Sequence, residues 1–142
     1  MLFAALSNAL YEIICYRYQL WQMEPNGLPV AMIPMLLLIL IGMPLSTWVY
    51  LSNYPTQTGF FKQGSYIAFF TLIFVLLELI SVQLGSITYH NGWNLCWSFV
   101  FDLIMFIMLR VHHRHPLVGL VFSVIYTGLL LILFDVSFDK MK

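Results

Sequence analysis

The chain has 142 residues, of which 61% are hydrophobic and 8% charged, and its six basic residues balance its six acidic ones. A composition this apolar is typical of a protein embedded in a lipid bilayer and argues against a water-soluble domain. Because the net charge is zero and no basic run occurs, the composition also excludes a nucleic-acid-binding surface. The two cysteines, Cys15 and Cys96, match no zinc or redox spacing and are interpreted as apolar membrane-helix residues.

Five apolar segments separated by polar stretches predict one all-α domain, an integral membrane helical bundle covering residues 1–142. The first segment is shorter than the ~20 residues that a membrane crossing needs. It is therefore expected either to enter the membrane obliquely or to continue a helix that begins upstream. The second carries Pro34, Gly42 and Pro44 and is predicted to be a kinked helix. The predicted segments are 1–15, 28–51, 65–87, 93–109 and 116–134.

Polar residues within and between these segments indicate how the first helices are arranged. The first segment has one polar face, which is expected to turn towards the other helices. The stretch 16–27 combines interfacial aromatic residues with turn residues and is predicted to be a loop. A second polar stretch, 52–64, is predicted to return the chain on the opposite side of the membrane. The residues of the polar face are Ser7, Asn8, Tyr11 and Glu12.

The third and fourth segments flank a polar turn at His90, and each carries one acid at the same distance from it. Glu78 lies twelve residues before His90 and Asp102 twelve residues after it. At ~1.5 Å per residue, both acids are predicted to lie ~14 Å below the nearer surface of a hydrocarbon layer ~30 Å thick. Helical spacing places other polar residues on the same stripes. The predicted intramembrane polar site comprises Glu78, Asp102, Ser98, Asn94 and Ser81.

Two acids near the middle of a membrane need a physical explanation, because each charge there costs about 2.5–3.5 kcal/mol on insertion scales. No lysine or arginine of the chain is predicted at that depth. Three interpretations stay open: Glu78 and Asp102 form a neutral hydrogen-bonded pair, they hold a proton or a cation, or they contact another chain.

The turn and the basic stretch that follows the fourth segment are expected at the membrane surface. In the turn motif His90, Asn91, Trp93 and Trp97, the two tryptophans are predicted to anchor the start of the fourth helix at the interface. The basic stretch is interpreted as an interfacial cluster that contacts lipid phosphates. A metal site is disfavoured, since three histidines within four residues cannot converge on one ion without a strained loop. The cluster comprises Arg110, His112, His113, Arg114 and His115.

The fifth segment carries Gly119, Ser123 and Thr127 at every fourth position, a small-residue stripe typical of closely packed membrane helices. With five segments, Lys and Arg divide equally between the two membrane faces. Counting only the loops favours a cytoplasmic location for Lys62 and the basic stretch under the positive-inside rule. The residues on that face are Lys62, Arg110 and Arg114, and those on the other are Arg17, Lys140 and Lys142.

A run of distinctive residues lies within 89–117: Tyr89-His90-Asn91-Gly92-Trp93-Asn94, Trp97-Ser98, Met105, Met108-Leu109-Arg110, His112-His113 and Pro116-Leu117. Looser matches are Leu10-Tyr11, Cys15-Tyr16, Tyr50-Leu51 and Tyr54-Pro55. In these residues the sequence resembles a family of small, functionally uncharacterised multi-pass membrane proteins of Bacillus, Clostridium and related Firmicutes. The resemblance implies a bacterial plasma-membrane protein and names no activity.

The sequence departs from that family in its first segment. Family members begin earlier, with another apolar segment and a basic linker, so the resemblance predicts that this chain lacks an upstream span. They also carry an acid and then an asparagine where this chain has Asn8 and then Glu12.

No catalytic constellation, phosphate-binding loop or zinc-protease motif is found, so the sequence predicts a protein that is not an enzyme and needs no cofactor or metal. The leading functional hypothesis is a non-enzymatic membrane module that binds lipid, a partner membrane protein or a second copy of itself. The alternative is a proton- or cation-coupled transporter, or a subunit of one, that uses Glu78 and Asp102.

Overall fold

The computed structural model describes residues 2–15, 17–25, 27, 29–30 and 32–136. These residues form five helices and one pair of short strands, which confirms the predicted all-α membrane bundle. Four helices are long and apolar enough to cross a membrane, whereas the first, with 13 residues, is too short. In chain order the elements are α1 (Leu2–Ile14), β1 (Trp21–Met23), α2 (Met32–Ser52), α3 (Phe60–Gln83), β2 (Ile87–Tyr89), α4 (Leu95–Arg114) and α5 (Pro116–Leu133).

Helix α3 begins and ends earlier than the predicted segment 65–87. It starts directly after Gly59, whose backbone is extended, and continues through Gly64. It ends just before Gly85, which adopts φ +70°, a left-handed conformation that glycine reaches without steric cost. The chain then enters β2, so part of the predicted turn is a strand.

Helix α4 is longer than predicted, because the basic stretch 110–115 is helical as far as Arg114. The helix begins after Asn94, whose side-chain oxygen accepts hydrogen bonds from two backbone N–H groups of the first turn. It ends at His115, which adopts φ −136° because it precedes Pro116. A single residue therefore separates α4 from α5.

Helix α2 is one continuous element with a π-helical segment, Leu38–Gly42, in its middle. There the backbone N–H of Met43 donates to the carbonyl of Leu38, one residue further back than in an α-helix. The next residue, Pro44, has no N–H to donate. The helix predicted to be kinked thus contains a π-helical turn directly before Pro44.

Strands β1 and β2 pair antiparallel, with Trp21 opposite Tyr89. The hydroxyl of Tyr11 fixes β1, since it donates to the carbonyl of Trp21 and accepts from two neighbouring backbone N–H groups, each at 3.0 Å. Strand β1 lies in the predicted loop 16–27, and β2 spans the end of the predicted segment 65–87 and the start of the predicted turn. We call the end of the bundle with this sheet the hairpin end, and the opposite end, where α3 begins and α4 ends, the basic end.

Two buried clusters hold the bundle together. The cluster nearer the basic end centres on Tyr50 and Phe106, both fully buried, and the Tyr50 hydroxyl donates to the carbonyl of Phe106 at 3.0 Å. The cluster at the hairpin end packs the chain after α5 against the start of α4. Its buried members are Leu20, Trp93, Phe134 and Val136.

The charged residues keep the distribution predicted from the sequence as far as it is described. Lys62 and Arg114 are exposed at the basic end, and Arg17 is exposed at the hairpin end. Lys140 and Lys142 lie outside the described residues. The orientation of the protein in the membrane therefore stays a prediction.

The two cysteines should differ sharply in reactivity, although both lie at the hairpin end. Cys96 is exposed and Cys15 is buried, and burial raises the pKa of the Cys15 thiol to about 11. A raised pKa lowers the fraction of thiolate, the reactive form, at neutral pH. We expect a membrane-impermeant maleimide at pH 7 to modify Cys96 and to spare Cys15 until the protein is unfolded. Mass spectrometry of wild type and Cys96→Ser measures this, and equal modification of both folded thiols would contradict it.

Candidate functional site

Glu78 lies at the centre of a hydrogen-bonded network near the hairpin end. Its Oε1 accepts one bond from the hydroxyl of Tyr89 at 2.6 Å and another from the hydroxyl of Ser98 at 2.5 Å. Ser98 in turn accepts a bond from the indole N–H of Trp93 at 2.8 Å. The network joins α3, β2 and α4, and such short bonds are typical of a charged acceptor.

Asp102 lies one helical turn beyond Ser98 on α4 and is only 7% exposed. Its Oδ2 atom is buried and has no hydrogen-bond partner among the described residues. Asp102 is near enough to Glu78 and to Tyr126 of α5 for electrostatic interaction with both. The site therefore contains two neighbouring carboxyl groups, one that accepts hydrogen bonds and one with an unsatisfied oxygen.

The acids lie nearer the hairpin end than the sequence analysis placed them. Glu78 is five residues before the end of α3 and Asp102 seven residues after the start of α4. At 1.5 Å per residue these positions are about 8 and 10 Å from the helix ends. The earlier count assumed that both helices continue to the turn at His90, whereas β2 occupies part of that stretch.

The other two members of the predicted polar site lie apart from the acids. The hydroxyl of Ser81 donates to the carbonyl of Leu77 within its own helix, at 2.8 Å. Asn94 caps the first turn of α4. The structure thus brings together Glu78, Ser98 and Asp102 and uses Ser81 and Asn94 for local helix structure.

Three aromatic residues complete the site. Tyr89 and Tyr126 were not predicted as site residues, and Trp93, predicted as an interfacial anchor, is buried within the bundle at 6% exposure. Burial, followed by the hydrogen bond to Glu78, raises the pKa of Tyr89 above its ordinary value. Tyr89 therefore stays protonated in any physiological medium and acts as a permanent hydrogen-bond donor to Glu78.

The remaining residues of the turn motif shape the hairpin end. His90 is exposed, and its Nε2 lies 3.0 Å from the hydroxyl of Thr88, which also donates to Glu24 at 3.1 Å. Asn91 adopts a left-handed φ of +52° and donates its side-chain N–H to the carbonyl of Gln19 at 2.8 Å. These bonds connect the turn to the first loop of the chain.

Trp97 is half-buried on the first turn of α4 and packs its ring against Phe134, with ring centroids 5.2 Å apart. Phe134 also contacts Trp93, so both tryptophans of the turn motif meet the chain directly after α5. The start of α4 is thus packed against the chain that follows α5.

At the basic end, the predicted interfacial cluster divides into packed and exposed residues. The guanidinium of Arg110 lies 4.3 Å from the centre of the Tyr54 ring, and the ring of His112 stacks on Phe3 at 4.0 Å. The described residues contain no group of three or more His, Cys, Asp or Glu side chains placed to hold a metal ion. The exposed members are His113, Arg114 and His115.

The small-residue stripe of α5 approaches α4 closely at Gly119. Gly119 is buried, and a Cβ atom added there would lie 2.6 Å from both Cα and Cβ of His112. Ser123 donates to the carbonyl of Gly119 at 2.8 Å, and Thr127 is half-buried. The glycine permits close approach of two helices within this chain.

Comparison of this chain with protein-family models, curated proteins and solved structures finds no match. The resemblance to the Firmicutes membrane family therefore stays a prediction.

Proposed function

We propose that the protein binds a proton or a small cation at Glu78 and Asp102, and that it is a proton- or cation-coupled transporter of the bacterial plasma membrane, or a subunit of one. The observation that carries the proposal is the buried, unpartnered Oδ2 of Asp102 beside the hydrogen-bonded carboxyl group of Glu78. Paired acids within a membrane bundle are typical of proton relays and ion pathways.

The two carboxyl groups have different surroundings, and this difference supports binding of a positive charge. Tyr89 and Ser98 donate hydrogen bonds that stabilise negative charge on Glu78. Asp102 receives no such bond at its buried oxygen from the described residues, and it also experiences the field of Glu78. An unpaired buried carboxylate is costly, and a proton or cation at Asp102 removes that cost.

The position of the site favours exchange with the hairpin end. Both acids lie within about 10 Å of the helix ends on that side. Glu78 is half-buried, and Tyr89 joins it directly to the strand at the surface. A proton or ion that enters from the hairpin end meets Glu78 before it reaches the more deeply buried Asp102.

Binding of a partner chain through the small-residue stripe of α5, the leading hypothesis from the sequence, has weaker support. Gly119 is buried against His112 of the same chain, so its close-packing surface is already occupied. Association through other faces stays a prediction.

The proposal is tested by transport in proteoliposomes that contain a pH-sensitive dye. With an imposed proton gradient or a sodium or potassium gradient, wild type is expected to dissipate the gradient faster than empty vesicles. Asp102→Asn is expected to reduce the rate at least about tenfold, because the amide cannot take up a proton and carries no charge. Ser81→Ala is the matched control, since Ser81 bonds only within α3. A wild-type rate equal to that of empty vesicles, or an unchanged Asp102→Asn rate, would overturn the proposal.

A further inference from the structure

The basic end of the bundle is positively charged, and the acids of the described residues lie elsewhere. Lys62 near the start of α3 and Arg110 and Arg114 near the end of α4 all lie at this end, together with three histidines. The described acids are at or towards the hairpin end: Glu12, Glu24, Glu78, Asp102 and Asp135. Positive charge at this end is therefore not neutralised by described side chains.

Tyr54 brings the cationic ends of α3 and α4 together. Its hydroxyl donates to the side-chain oxygen of Gln63, directly after Lys62, at 3.2 Å, and its ring lies under the guanidinium of Arg110 at 4.3 Å. Lys62 and Arg114 are both exposed. Neither makes a hydrogen bond or ion pair with another side chain within the described part of the chain. Lys62 and Arg114 thus lie at the neighbouring ends of α3 and α4, and Tyr54 contacts both ends.

Side chains, not helix ends, supply this charge. Helices α1, α3 and α5 begin at the basic end, whereas α2 and α4 end there. The partial charges of helix termini have opposite signs at the two ends of a helix, so they largely offset one another here.

Large exposed apolar side chains also lie at the basic end, close to the cations in sequence. Phe60 and Phe61 at the start of α3 are 96% and 88% exposed, and Leu117 at the start of α5 is 78% exposed. A soluble phosphate compound has no apolar group to pack against these residues. A phospholipid has acyl chains beside its phosphate, and these chains can remove the apolar side chains from water. The combination of exposed cations and an apolar border fits a lipid headgroup region.

We infer that the basic end binds anionic phospholipid, with Lys62 and Arg114 contacting the phosphate and the apolar border contacting the acyl chains. This site is at the opposite end of the bundle from Glu78 and Asp102, and the inference does not depend on the proposed transport function. Each cation near an anionic lipid surface strengthens binding roughly fivefold.

The experiment measures lipid binding to the purified full-length protein by native mass spectrometry, with phosphatidylglycerol and phosphatidylcholine of equal chain length. Wild type is expected to bind phosphatidylglycerol more tightly. The double variant Lys62→Gln/Arg114→Gln is expected to lose roughly 25-fold in affinity for phosphatidylglycerol and to keep its affinity for phosphatidylcholine. Circular dichroism checks that the helices are retained, and Arg110 is left unchanged because it packs on Tyr54.

Arg17→Gln is the matched control, because Arg17 is an exposed arginine at the hairpin end. It is expected to bind phosphatidylglycerol as wild type does. Equal loss in Arg17→Gln, or unchanged binding in the double variant, would overturn the inference. Displacement of phosphatidylglycerol by millimolar inorganic phosphate would also overturn it, since it would identify a free-phosphate site.

Discussion

Replacing Gly119 with alanine is expected to lower the free energy of unfolding by about 1–3 kcal/mol, the usual cost of overfilling a packed site. The added Cβ would lie 2.6 Å from Cα of His112 and 2.9 Å from its backbone nitrogen. Backbone atoms cannot rotate away as a flexible side chain does, so α4 and α5 must separate. Only one residue connects these two helices, which leaves little chain to absorb the shift.

Gly128→Ala is the matched control for this substitution, because it lies on the same helix and a Cβ there would meet nothing within 4 Å. Alanine has the higher helix propensity, so this control is expected to be neutral or slightly stabilising. Equilibrium unfolding in mixed micelles with increasing dodecyl sulfate measures both variants. Similar losses in the two would contradict the prediction, because they would show that the loss does not depend on the contact with His112.

The transmembrane helices were predictable because most residues of a span must satisfy the same requirement, an apolar side chain in contact with lipid or with another helix. That requirement is repeated along about 20 residues, so a span is recognised from its sustained hydrophobicity. Hydrophobicity does not show where a helix ends. The end of α3 depends on the left-handed backbone of Gly85, and the length of α4 depends on Pro116, neither of which changes the hydrophobic pattern.

The small sheet was not predictable for a different reason. Each strand has three residues, too few for an alternating pattern, and their pairing joins parts of the chain far apart in sequence. The sheet is fixed by contacts such as the three bonds of the Tyr11 hydroxyl, which exist only after folding. The polar face of α1 predicted that Tyr11 faces the rest of the protein, but it did not predict which groups Tyr11 bonds to.

The candidate site also contains residues that the sequence predicts and residues that it does not. Glu78, Ser98 and Asp102 were found because helical spacing places each on a stripe facing the partner helix. Tyr89 was missed because its contact with Glu78 depends on the path of the chain between α3 and α4. The acids lie nearer the helix ends than predicted because α3 ends at Gln83 and α4 begins at Leu95, so that neither helix continues to the turn.

The interaction between Glu78 and Asp102 is expected to appear as a coupling free energy larger than about 0.5 kcal/mol, the usual limit for independent sites. The two groups interact electrostatically, and a like charge nearby destabilises each of them. Glu78→Gln keeps an oxygen that accepts from Tyr89 and Ser98, so it removes charge and leaves the hydrogen bonds in place.

Glu78→Gln and Asp102→Asn should therefore together change the free energy of unfolding by less than the sum of the two single changes. The first substitution already removes the repulsion between the two carboxylates, so the second substitution gains less stability than it does alone. A double-mutant cycle at neutral pH, measured by dodecyl sulfate unfolding in mixed micelles, gives the coupling directly. Tyr66→Phe with Glu78→Gln is the control pair. Tyr66 lies about 18 Å from Glu78 along α3 and donates to the carbonyl of Tyr50, so the two substitutions should have additive effects. Additivity of Glu78→Gln and Asp102→Asn would mean that the two carboxyl groups are energetically independent, and a shared proton or cation between them would have to be abandoned.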